Sequence, residues 1–162
     1  MAALNSSSAI ASTIQSVMSN NVAVRYEKSE PPPQSLRDEI ALRYRIPLEA
    51  ARVGTKWLGA ATGISEVLFL CAWFAHKGYG ALSRESIVRL EQALRLSISR
   101  GRITGTFELE PDVFEEFARV MDMHEFQLMT SSLAQLEEGV RLMGVFREAG
   151  QTGKARRRTG RA

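Results

Sequence analysis

From Ser35 to Phe146 apolar side chains recur every three or four residues, the period that lines one face of an α-helix. That spacing predicts an all-α fold, a multi-helix bundle of seven or so helices. Ser35 is placed to cap the first helix of the body, with Asp38 and Glu39 in the first turn, where the helix dipole favours acids. Pro47 restricts Ile46 to extended geometry, so this helix is expected to stop there and a second to run over roughly 47–60, ended by Gly63. An apolar helix then opens at Ile64 or Ser65 and closes with Gly78 to Gly80. Ser83 caps the next, whose stripe is Ile87, Leu90, Leu94 and Ile98 and which should end near Ser99. The pattern is interrupted once. In RGRITGTFELEP the residues Ile103, Thr104, Thr106 and Phe107 favour extended geometry around Gly105, which admits a short hairpin near 102–108. Pro111 starts another helix, with Val113, Phe114, Phe117, Val120 and Met121 on its apolar side.

The last helix carries the strongest pattern. Phe126, Leu133 and Val140 lie seven apart, as do Met129, Leu136 and Met143, and the two rows are offset by three. This is an a/d seam over three heptads, expected on one helix spanning 123–148 and about 40 Å long. Such a seam serves as the spine of a bundle or as a docking face for a second copy or another helical protein.

The chain divides into three parts. Residues 1–34 hold a short amphipathic stretch over 8–19 and a flexible connection through Pro31, Pro32 and Pro33, which favour extended backbone. Residues 35–150 are the helical domain. Residues 151–162 form a basic tail, expected to be disordered, in which Lys154, Arg156, Arg157, Arg158 and Arg161 are accompanied by no acid. The whole chain carries +3 and this tail +5, so residues 1–150 carry −2. All the excess positive charge is terminal, and a broad basic docking face for duplex DNA is not indicated. Arginines in this density fork onto phosphate oxygens, and such an arm holds RNA or DNA backbone without sequence preference.

Residues that carry chemistry are few. Cys71 is the single cysteine and sits in VLFLCAWFA, which marks it as a small buried hydrophobe and leaves the reducing cytoplasm as the expected location. Val67 to Ala75 is nine residues long, whereas a helix needs about 20 to cross a bilayer, so a core helix is expected and no membrane insertion. His76 and His124 lie on different helices without the partner spacing of a zinc site, and no metal or cofactor is expected. The acids Glu108, Glu110, Asp112, Glu115 and Glu116 cluster where a helix N-terminus attracts them. GQTGKARR contains a Gly-Lys pair, but Glu148 stands where a phosphate loop needs its first glycine and Ala155 where it needs Ser or Thr. A non-enzymatic protein is therefore expected.

Two partial resemblances remain. RIPLEAARVGTKWLGAATGIS, with Ala50 and Gly54 four apart and Val53 between them, resembles the helix-turn-helix segment of DNA-binding regulators. That resemblance implies a DNA reader within residues 46–62, with Lys56 among its contacts; Ala60 stands where the pattern has a branched apolar residue. The first 25 residues, rich in serine and free of charged side chains until Arg25, are similar in composition to bacterial type III secretion leaders, which implies a secreted or chaperone-bound protein. The leading reading is a helical interaction and assembly protein, a subunit or accessory factor of a nucleoprotein or virus-like particle, whose C-terminal arm contacts nucleic acid.

Overall fold

The structure is a computed structural model that describes residue 10 and residues 30–159, with side chains as far as residue 148. The amphipathic stretch over 8–19 lies outside the described residues apart from Ile10, which is helical and buried in the core. Among the described residues there are five helices and no strand: α1 (Gln34–Val53), α2 (Gly59–His76), α3 (Arg84–Thr104), α4 (Pro111–Thr130) and α5 (Leu133–Thr159).

α1 does not stop at Pro47. It runs through the proline to Val53 and ends at Gly54, whose φ of 82° is open to glycine. Pro47 deprives the Arg43 carbonyl of its helical donor, but Arg43 lies in an exposed turn where water reaches it. The ring itself is buried, as are Tyr44, Leu48 and Ala51 on the same side of the helix. Gly63 also takes another role. It lies inside α2, facing Pro47, and a Cβ there would stand 3.0 Å from the proline Cγ. The pair that reads locally as two helix breaks is the contact at which α1 and α2 approach.

α2 is apolar on every side and touches the other four helices. Twelve of its residues are buried, Phe69, Trp73 and Phe74 among the largest. Among the described residues it is the one helix long and apolar enough to cross a membrane, and 67% of it is buried inside the bundle. Glu66 is the exception in charge. It is buried with Arg43 of α1 at 3.7 Å and Arg147 of α5 at 3.3 Å, tying three helices together.

α3 begins as expected, with the Ser83 hydroxyl accepting from the Ser86 amide at 3.0 Å. It continues past Ser99 to Thr104, and Gly105 at φ 76° closes it by donating to the Gly101 carbonyl. No hairpin forms near 102–108. Phe107 pairs instead with Thr55 in a single antiparallel bridge, through two hydrogen bonds of 2.7 and 2.9 Å, and Leu109 donates to the Ala51 carbonyl. Folding back on α1 buries Phe107 and Leu109 in the core, which an isolated surface hairpin cannot do.

The expected single helix over 123–148 is two helices. α4 ends at Thr130, Ser131 turns extended at ψ 165°, and α5 starts at Leu133. The new start is a capping box. The Ser132 hydroxyl accepts from the Gln135 amide at 3.2 Å, and the Gln135 side chain accepts from the Ser132 amide at 2.9 Å. The Leu133 amide is satisfied by the Glu30 carbonyl. The backbone of α5 remains helical through Thr159.

Candidate functional site

The a/d seam is divided by the turn at Ser131. Leu136 and Met143 are each 4% exposed and Leu133 packs against the core, so α5 uses these three positions inside the bundle. Phe126, Met129 and Val140 stand outside at 50%, 53% and 45% exposure. Phe126 and Met129 lie on α4, beyond the turn, whereas Val140 lies on α5 itself, to one side of the face that buries Leu136 and Met143.

Lys154, Arg156, Arg157 and Arg158 fall on the helical backbone of α5, and their side chains, like all of Arg161, lie outside the described residues. The helix-turn-helix candidate is well described. Thr55 is held by the Phe107 bridge, Lys56, Trp57 and Leu58 form an exposed loop, and Ala60 and Ala61 are buried in the first turn of α2. Trp57 folds back over Gly59, where a Cβ would meet its indole nitrogen. The helix that would have to enter a groove is the central helix of the core.

The polar groups buried between α2 and α4 form one network. Gln127 donates from Nε2 to the carbonyls of Cys71 at 3.0 Å and Tyr79 at 2.8 Å. Its amide hydrogens are thereby used, and its Oε1 faces His124 Nδ1 at 3.3 Å, so the imidazole carries its proton on Nδ1. His124 Nε2 is left as a buried lone pair without a hydrogen-bond partner, beside the rings of Tyr44 and Phe74. Burial pushes His124 down to about 4, against smaller opposing effects of Gln127 and Glu125, and the ring is neutral at ordinary pH. Burial likewise pushes the Cys71 thiol up to about 12, and its hydrogen points to the Val120 carbonyl. A protonated thiol and a neutral imidazole, both enclosed, hold helices together; neither is poised as a nucleophile or base. Burial, then the nearby Glu66 charge, also raises the Tyr44 hydroxyl to about 12.

Some of the charged groups on the surface are paired between helices or within one. Arg45 of α1 bonds Asp122 at 2.7 Å and Glu125 at 2.5 Å, Arg89 bonds Glu116 at 2.8 Å, Arg95 bonds Glu91 at 2.7 Å, and Arg100 pairs with Glu110. The acid cluster at the start of α4 is thus split between ion pairs and the first turn of the helix, where Asp112 sits. Among the described residues no three of His, Cys, Asp and Glu gather closely enough to hold a metal ion. Sequence reading missed two features here. The Gln127 network had no local signal, since its partners are 48 and 56 residues away. The capping box did: Ser132 and Gln135 are spaced as its pattern requires.

No family model, curated protein or solved structure matches the chain.

Proposed function

We propose that this is a helical assembly protein that works by contact: its body docks on further copies or a helical partner, and its Arg-rich end holds the backbone of RNA or DNA. The observation that carries the reading is the placement of large apolar side chains on the outward sides of helices. Leu42 and Ile46 on α1, Leu96 and Ile103 on α3, and Phe126 and Met129 on α4 are all exposed, although the core is filled by others. Apolar groups left outside a packed core are available for contact with another molecule. The polar chemistry of the interior, by contrast, is engaged in holding helices together.

The basic end supports the second half of the reading. Its five cations follow a body of net −2, and four of them fall on the helical backbone of α5. A regulator that reads DNA with residues 46–62 has no such support, because α2 has no free face to offer a groove. Oligomeric mass measured with and without a random oligonucleotide tests the proposal. It is expected to rise with protein concentration and to rise further with nucleic acid. A monomer at every concentration in both conditions overturns self-assembly, and a mass that does not change with nucleic acid overturns the role of the basic end.

A further inference from the structure

We infer that the basic end works as a helix and that the major groove of duplex DNA is its partner. The inference rests on the nucleic-acid half of the reading above and names which nucleic acid that end fits.

α5 runs past the bundle with its backbone still helical. Its contacts with α2 descend that helix in order: Gly139 faces Trp73, Phe146 stacks on Phe69 at 5.0 Å, and Arg147 lies 3.3 Å from Glu66. The two helices are therefore antiparallel. Seven residues of α2 remain before Glu66, whereas α5 continues for twelve after Arg147. The last turns of α5 thus extend beyond the start of α2, where Trp57, Leu58 and Thr62 are exposed.

Helical spacing sorts the cations on this extension. At about 100° per residue, Arg147, Lys154, Arg157 and Arg158 fall within about a third of a turn, and Arg156 stands opposite. From Arg147 to Arg158 the row is about 16.5 Å long. Glu148 is the one acid after Glu138, and its position lies about a third of a turn from the centre of the row. At this end the body adds exposed Arg43 and Lys56 against exposed Glu108, while Glu49 is held by Arg52 at 2.7 Å. The balance favours a polyanion.

A row of charges fixed on a rod is best matched by phosphates that hold fixed places. Duplex DNA offers them, whereas a single strand adapts to an arm of any shape. Size points the same way. A helix with its side chains is about 10–12 Å across and the B-form major groove about 12 Å wide, but the A-form groove of duplex RNA is too narrow to admit it. Contacts from arginine and lysine to phosphate carry no base preference. Gly150 and Gly153, together with repulsion between neighbouring cations, oppose this part of the helix, and phosphates on the groove walls relieve the repulsion.

The test is fluorescence anisotropy of the full chain on a random DNA duplex of about 20 base pairs, on its single strand and on an RNA duplex of equal length, at about 100 mM salt. The parent is expected to hold the DNA duplex about 5- to 10-fold more tightly than the other two. Ala155→Pro keeps every charge but clashes with the Gln151 carbonyl and removes an amide donor. It should weaken duplex DNA binding by about 5- to 10-fold and single-strand binding by less than about 2-fold. Gly150→Ala with Gly153→Ala should tighten duplex binding by about 3-fold and leave the single strand unchanged. Because these positions follow the last core contact at Phe146, all three chains should melt alike. Equal duplex affinity of the parent and Ala155→Pro, or a single strand or RNA duplex held as tightly as DNA, overturns the groove-bound helix and leaves the basic end as an arm. A parent that binds none of the three overturns the nucleic-acid reading itself.

Discussion

His124 and Glu66 show how a buried ionisable group is held in this core, and the two behave oppositely when disturbed. His124 has a folded value near 4 against an ordinary 6.5, so the unfolded chain takes up its proton first as pH falls. Its contribution to stability is complete above about pH 6.5 and is lost progressively down to about pH 4, amounting to about 3 kcal/mol at most. Urea unfolding between pH 7 and 4 should show that loss, and His124→Phe should flatten this part of the profile relative to the parent. Parallel profiles would mean that the ring is reached by water. Glu66 is buried, while Arg43 and Arg147 beside it remain half exposed. Replacing the acid by Met leaves two solvated arginines and should change stability by less than about 1 kcal/mol. Removing both arginines strands the carboxylate, and Arg43→Met with Arg147→Met should cost about 3 kcal/mol. A thermal melt of each variant distinguishes the two outcomes.

At the scale of helices, burial rather than heptad position decides which seam residues matter. Leu136 faces the core of α5, so Leu136→Asp buries an unpaired charge and should destabilise by about 3 kcal/mol or more. Val140, one turn on, is 45% exposed, and Val140→Asp should change stability by less than about 1 kcal/mol. A continuous coiled-coil seam would make the two comparable, and chemical denaturation of both variants tells which holds. The same turn explains why Phe126 and Met129 are free for contact. Once the chain bends at Ser131, α4 keeps its buried row of Phe117, Val120, Met121 and Leu128 toward α2, and the seam positions rotate outward.

For the whole molecule the charge distribution sets the expectation. Deleting residues 151–162 removes five cations and no large apolar side chain and leaves a body of net −2, so folding should be unchanged. Affinity for random single- or double-stranded nucleic acid should largely disappear. In the full chain the five cations contribute a log–log salt slope of up to about −3.5 to −4.5, at about −0.7 to −0.9 per neutralised phosphate. Replacing Arg156, Arg157 and Arg158 with lysine should weaken binding only in part, because charge persists while the bidentate fork is lost. Titrations of full-length and truncated protein at two salt concentrations check this. Equal affinity of the two would leave the basic end without a role in binding.

Local chemistry determined much of this protein by itself. Apolar spacing every three or four residues made the chain all-α, and Ser83 and Pro111 started helices where hydroxyl capping and a fixed φ require it. The run around Cys71 marked the central helix, because a segment apolar on all sides has to be enclosed. Among site residues, the outward placement of Phe126 and Met129 was not legible, since the heptad pattern records only that they are apolar. Three decisions belonged to tertiary structure. Pro47 remains inside α1 because Gly63, sixteen residues on, makes room for its ring. Phe107 leaves its own neighbours to pair with Thr55 because that path buries the ring. The heptad run breaks at Ser131 because a capping box and the Glu30 carbonyl satisfy the amides of a new helix. In each case a local penalty of about 1–3 kcal/mol competes with burial or hydrogen bonds of the same size from distant residues. Sequence spacing states the penalty, and only the packed chain supplies the term that outweighs it.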